Sequence, residues 1–177
     1  MSVVNNTIIV ENRMEEMLAY LPDMSVAPSL DLYPVRFEYG DQFAIMDFLK
    51  TQLGSETPYP LVWLMTPYIE SHLKTKVQVK SMTLILAVET NADMLPKQRM
   101  KETFEKVLIP LLTNLKLLFM RANIINVSRE YDIVKYYNYS GDEMTGLQSE
   151  TGDIWDAIKF TFDCDINDVC LRPILKL

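Results

Sequence analysis

The sequence predicts a single α+β domain, and three observations predict it. Residues 59–65, Tyr-Pro-Leu-Val-Trp-Leu-Met, are apolar in every phase, as a strand covered on both faces is. Residues 76–90 carry a long apolar and polar alternation, the period of an extended chain. Residues 96–120 place Met100, Phe104, Val107, Leu108, Leu111, Leu115, Leu118 and Phe119 at helical spacing over about five turns. A chain of 177 residues is one domain by size. It buries ~70% of its unfolded surface on folding and needs neither a disulfide nor a metal for that.

The elements follow in order. Residues 6–21 predict a first helix, capped by Asn5, Asn6 or Thr7 and ended by Pro22. Ile8, Met14, Leu18 and Leu21 make its apolar side. Residues 22–34 hold Pro22, Pro28 and Pro34 and read as an extended linker. Residues 1–32 are therefore expected to form an arm that packs away from the core or on a neighbour, ahead of a core domain over 33–177. Residues 33–39 alternate and stop at Gly40, a strand and a turn. Asp41 caps a second helix that Gly54 stops, with Phe43, Met46, Leu49 and Leu53 as its stripe and Ile45 and Phe48 off it. Residues 59–65 form the doubly buried strand, closed by Thr66-Pro67.

In the long strand Val77 and Val79 share one phase, and Met82, Leu84, Leu86 and Val88 take the other. A β-bulge near Ser81 accounts for the slip. Asp93 is the expected cap of the long helix, with Pro96 in its first turn. Pro110 falls inside that helix and is expected to kink or split it. Ile109, Leu112 and Leu117 make its second half apolar nearly all round, so that half is deeply buried or is covered by a partner. Residues 131–139 read as a tyrosine-rich strand, and 140–153 as a mobile polar loop with Asp142, Glu143, Glu150 and Asp153. Last, Ile158, Phe160, Phe162, Cys164 and Ile166 alternate with Lys159, Thr161, Asp163, Asp165 and Asn167, a strand with one dry and one wet face.

The composition narrows function. The net charge of −7 argues against a surface that grips nucleic acid, since gripping takes clustered Lys and Arg. It suits a surface that DNA slides past. No apolar run approaches the ~20 residues of a membrane span. The start has no basic region ahead of an apolar one, so the chain reads as made and kept in a cytoplasm. Two cysteines, Cys164 and Cys170, read as free thiols in a reducing compartment.

Candidates for chemistry are few. The one histidine, His72, sits among polar residues on an expected loop and reads as incidental. Neither G-x-G-x-x-G nor G-x-x-x-x-G-K-[ST] occurs, so the two common nucleotide cradles are missing. Asp163, Asp165 and Asp168 lie along the last strand, the first two on one face. With Glu89 or Glu130 they would hold a divalent ion, or they are the solvated face of a half-exposed strand. Tyr131, Tyr136, Tyr137 and Tyr139 are interface candidates or ordinary cross-strand packing. Eleven methionines serve an adaptable surface or fill the core.

The order of elements forms one pattern. A leading helix and a Pro-rich linker precede Val35-Arg-Phe-Glu-Tyr-Gly-Asp41. Then come a helix, Tyr59-Pro-Leu-Val-Trp-Leu64, a long strand ending Ala87-Val-Glu-Thr90, a long helix with Ile109-Pro-Leu-Leu112, and Trp155-Asp-Ala-Ile-Lys-Phe-Thr-Phe162. This resembles the tail-terminator or tail-completion family of tailed bacteriophages, in the divergent form found in phages of gut bacteria. The resemblance covers most of residues 1–170; the longer front arm and the acidic loop depart from it. It implies a mixed or antiparallel sheet flanked by helices, and a non-enzymatic ring subunit with no cofactor, metal or catalytic residue. The implied partners are copies of the chain itself in a six- or twelve-fold ring, neighbouring neck or tail proteins, and DNA passing through the lumen unbound. No membrane or small-molecule substrate is implied, and the place is the virion.

Ring contacts are expected on Ile109, Leu112, Leu117, Tyr131, Tyr136, Tyr137 and Tyr139. Asp142, Glu143, Glu150 and Asp153 are expected to face the lumen or a partner. Two other readings stay open. One is a small metal-dependent nuclease or hydrolase using Asp163 and Asp165; the other is a cytoplasmic protein-binding adaptor.

Overall fold

Two long antiparallel strands, β6 (Lys76–Asn91) and β8 (Asp153–Asn167), form the centre of the chain. The computed structural model describes residues 8–26, 31–52, 60–91, 93–139 and 153–169. Around the central pair, in chain order, stand α1 (Val10–Leu18), β1 (Met24–Ser25), β2 (Leu32–Tyr33), β3 (Arg36–Gly40), α2 (Gln42–Gln52), β4 (Leu61–Met65) and β5 (Ile69–His72). After β6 come α3 (Pro96–Arg99), a π-helical segment (Met100–Leu108), α4 (Ile109–Arg121) and β7 (Ile125–Tyr139). The main sheet runs β3-β4-β6-β8-β7, with β5 also paired to β6. Among the described strands only β3 and β4 are parallel to each other; the other pairs are antiparallel. The result is a mixed sheet flanked by helices in one α+β domain.

One face of the sheet carries the main core. Leu84, Leu86, Phe160 and Phe162 point from it into Phe104, Leu108, Leu111 and Leu115 of the long helix. The first helix belongs to that core too. Val10, Met14, Met17 and Leu18 recur one turn apart and are all buried there. The Tyr68 hydroxyl donates to Glu11 Oε1 at 2.5 Å, and an Arg13 guanidinium nitrogen lies 3.8 Å from Asp168 Oδ1. The expected arm, packing away from the core or on a neighbour, is thus a helix laid on its own chain's sheet. An apolar stripe this complete is buried by the nearest apolar surface, and that surface is intramolecular. The helix starts after Ile9, which offers no side-chain cap; Asn5, Asn6 and Thr7 lie outside the described residues. Within the linker, β1 and β2 pair as a short antiparallel ribbon.

The other face is covered over part of its area by α2. Ile45, Leu61, Trp63, Ile85, Ala87, Trp155 and Ala157 form a second cluster there. The expected stripe of α2 is overturned. Ile45 is fully buried and Phe48 packs on Trp63 at 5.4 Å, while Phe43 is 85% exposed. The helix is anchored at its start, where the Ala44 amide donates to Asp41 Oδ1 at 2.9 Å, as the cap reading requires. Gly40, at φ 155°, sets that entrance. A β-carbon there would stand 2.8 Å from Ala44 Cβ and 3.0 Å from the Trp63 ring. Leu49 and Leu53 side chains and Gly54 lie outside the described residues.

The slip in β6 is a bulge. Its register to β8 shifts between Val79 and Met82, and Ser81 takes a left-handed φ of 55°. The slip lets Val77 and Val79 join Met82 and Leu84 on the same buried face. Pro110 splits the long helix by type. It has no N–H to donate, and its ring crowds the carbonyl one turn back. The nine residues before Ile109 take the wider π register, and α geometry resumes with Pro110 in its first turn. Asp93 does not cap α3. Leu95 holds the N-cap position, and the Gln98 side chain accepts the Leu95 amide at 3.0 Å.

Candidate assembly surfaces and the acidic strand

The second half of the long helix is apolar nearly all round, and most of that surface is spent inside the chain. Leu111, Leu112, Leu115, Leu118 and Phe119 are buried. Leu112, expected at a ring contact, is only 7% exposed and has little left for a neighbour. Ile109 is half-buried against the same core. Leu117 at 37% and Met120 at 82% exposure form the outward side.

The tyrosines of β7 do not share one surface. Strand alternation sends Tyr131 and Tyr137 to the helix side and Tyr136 to the other. Tyr131 meets the Phe160 ring edge-on at 5.4 Å, and its hydroxyl accepts from Lys116 Nζ at 2.7 Å. Tyr137 lies on Phe104 at 4.9 Å. A second register shift returns Tyr139 to the side of Tyr136, and the two rings pack edge to face at 5.6 Å against the second cluster. Tyr131 and Tyr137 stay more than two-fifths exposed, whereas Tyr136 and Tyr139 are partly buried in their own chain. Asp142, Glu143 and Glu150 lie outside the described residues. Asp153 opens β8, and its side chain also lies outside them.

The last strand alternates as expected, but it is no edge: β6 and β7 flank it. Asp163 and Asp165 share its wet face, and each is engaged. The Ser81 amide donates to Asp163 Oδ1 at 2.7 Å, so Asp163 pins the β6 bulge. Lys76 Nζ donates to Asp165 Oδ2 at 2.7 Å, and that hydrogen bond holds the Asp165 carboxyl below the usual carboxylate range. Asp168 faces Arg13. Glu130 and Asp132 share an open depression with Asp163, while Glu89 stands opposite Trp155 at the far end of β8. Among the described residues, no three of His, Cys, Asp and Glu gather as a metal ligand set. His72 lies on β5, not on a loop, exposed and 2.7 Å from Glu70 Oε2. Cys164 is buried, and burial pushes its thiol up to about 12. Cys170 lies outside the described residues.

The most buried polar group is one that sequence reasoning missed. Asp156 is fully enclosed. Its Oδ1 lies 3.4 Å from Arg99 Nη1, and its Oδ2 accepts from Thr103 Oγ1 at 2.7 Å. Arg99 Nε also donates to the Met94 carbonyl at 3.0 Å. This ties the start of the long helix to β8. A signal existed: Asp156 falls in phase with Ile158 and Phe160, and an acid on a dry face needs a partner. Beside it, Trp155 Nε1 is buried with no hydrogen-bond partner among the described residues. No helix of the described residues is long and apolar enough to cross a membrane. No protein-family model matches the chain, and no curated protein matches its sequence.

Proposed function

We propose that this chain is a structural subunit of a homo-oligomeric ring in a phage neck or tail, a tail terminator or head-to-tail connector through which DNA passes. One observation carries the reading: among the large apolar side chains left exposed, some stand at two unlike places. One is the outward side of α4, at Leu117 and Met120; the other is β7, at Tyr131 and Tyr137. A closed ring is built from heterologous contacts, which need two different mating surfaces per copy. The mixed sheet flanked by helices is the architecture that the family resemblance implies. The net charge of −7 suits a channel that lets DNA slide without holding it. The subunit is made in the host cytoplasm and ends in the virion, where its partners are its own copies and the adjoining neck or tail proteins.

The metal-dependent nuclease reading has less support, because Asp163 and Asp165 are already bound to Ser81 and Lys76. The test of the ring is twofold. Mass measurement of the purified chain is expected to find six or twelve copies, and Leu117→Glu with Met120→Glu to dissolve that species. Mass spectrometry of purified virions is expected to find the chain in ring-like copy number. A chain missing from virions, and never more than a monomer alone, refutes the proposal.

A further inference from the structure

The main sheet has two ends, and at one of them β3 carries no described strand on its outer side. The Arg36 amide donates to the Pro60 carbonyl at 2.9 Å, and the Thr66 amide donates to the Gly40 carbonyl at 2.9 Å. Arg36 and Gly40 thus turn their backbone groups toward β4, and Phe37 and Tyr39 turn theirs outward. A row of outward N–H and C=O groups takes up another strand. Arg36 and Glu38 share one face of β3, where Arg36 Nε donates to Glu38 Oε1 at 2.9 Å. Phe37 and Tyr39 share the other, with their rings 6.4 Å apart. Leu32 of β2, Tyr39 of β3 and Phe43 in the first turn of α2 are each more than half exposed. We propose that the outer side of β3 binds the same strand of a second copy of the chain. The two strands run antiparallel about a two-fold axis at Phe37, and the two sheets become one.

Charge names the occupant. In an antiparallel pair, residues directly opposite keep their side chains on one face, so a two-fold axis stands beside a residue and pairs positions of equal parity. An axis at Phe37 sets Arg36 against Glu38 of the second copy, and Glu38 against Arg36 of the second copy. Four charges then alternate in sign around the axis, and opposite charges directly across a strand pair are stabilising. The other axes fail. One at Arg36 or at Glu38 sets that charge against its own like. One at Tyr39 sets Arg36 against Gln42, which belongs to α2. One at Val35 sets Phe37 against Tyr33, which is paired in the β1–β2 ribbon. The backbone agrees with the axis that charge selects. Phe37 is an outward residue, so it exchanges both N–H···O bonds with its own copy. Arg36 and Glu38 then fall at non-hydrogen-bonded pairs, where facing side chains stand closest. The same register carries the exposed Tyr39 and Phe43 of one copy to the end of the other that holds Leu32. A strand of another protein would need the same plus and minus two residues apart; a second copy has them by identity.

The contact uses neither α4 nor β7, so it stands apart from the ring. It is isologous, a ring closes through heterologous contacts, and the two coexist where rings stack back to back. Charge reversal tests it. The Arg36 and Glu38 side chains are each more than a third exposed, so reversal leaves the core alone. Arg36→Glu or Glu38→Arg by itself sets like charges opposite and is expected to halve the native mass, from an even multiple of 20.5 kDa. The two variants mixed one to one are expected to regain the full mass, because each charge then meets its opposite on the other copy. Both variants lack the chain's own Arg36–Glu38 bridge, and mixing does not restore it, so the recovery reports the contact between copies. A monomeric parent overturns the proposal, as does a mass unchanged by either reversal or a mixture that stays at half mass. The ring is tested separately. Leu117→Glu with Met120→Glu is expected to leave a dimer of twice 20.5 kDa, which Arg36→Glu then splits. If the ring reading fails, that dimer is already the native species; if this one fails, the double variant is a monomer.

Discussion

Asp156→Ala removes one carboxylate from the interior and leaves the guanidinium of Arg99 behind. Both groups are out of water: Asp156 is fully enclosed, and Arg99 is 5% exposed. Breaking a buried pair by removing one partner costs about 3–5 kcal/mol, because the charge that remains has lost a close counter-charge out of water. Thr103 is affected less. Its hydroxyl has one proton and two acceptors in reach, Asp156 Oδ2 at 2.7 Å and the Arg99 carbonyl at 2.6 Å, so it keeps a partner. Arg99 keeps its bond to the Met94 carbonyl, which holds the stranded charge in place rather than releasing it to solvent. Against a total stability of ~5–15 kcal/mol, the loss is a large share. Urea unfolding reads it. With a slope of about 2 kcal/mol per molar, the midpoint falls by roughly 2 M. Fluorescence of the buried Trp63 and Trp155 follows the transition. The double variant Arg99→Met with Asp156→Leu removes both charges and fills the space, so it is expected to recover most of the loss. A loss below ~1 kcal/mol in Asp156→Ala, or a double variant as weak as the sum of the singles, refutes the account of a buried pair.

Two further expectations concern packing and pH. Ile45→Ala is expected to cost about 2–5 kcal/mol, while Phe43→Ala, at a site 85% exposed, stays within about 0.5 kcal/mol of the parent; similar losses in thermal unfolding would mean that α2 buries another face. The Cys164 thiol, pushed up to about 12 by burial, keeps its proton where an unfolded thiol near ~8.5 has lost it. The unfolded chain then binds fewer protons, so stability falls as pH rises above about 9. Burial and Glu11 raise the Tyr68 hydroxyl as well and add the same sign at still higher pH. Cys164→Ala is expected to flatten the decline between about pH 9 and 10, ahead of most tyrosine ionisation. An unchanged slope there would exclude Cys164 as its cause.

Period and punctuation alone fixed the identity of most elements. The alternation from Ile158 to Ile166, the slip at Ser81, the cap at Asp41 and the break at Pro110 are written in neighbouring residues, because the forces behind them act within a turn or two. Asp156 was half legible: its phase betrayed it, but its partner lies 57 positions away. The tyrosines were not legible as surfaces. Period 2 splits Tyr131 from Tyr136, and the register shift that brings Tyr139 back depends on β8.

What the sequence by itself determined is therefore the longer helices and strands, without β1, β2 and β5, and the face that β8 keeps dry. The tertiary structure decided the rest: that α1 lies on the sheet, that Ile45 and not Phe43 is the anchor of α2, that Asp163 and Asp165 are held by Ser81 and Lys76, and that β7 stands at the end. The physical reason is that periodicity states how much apolar surface an element has, whereas burial depends on which distant element arrives to cover it.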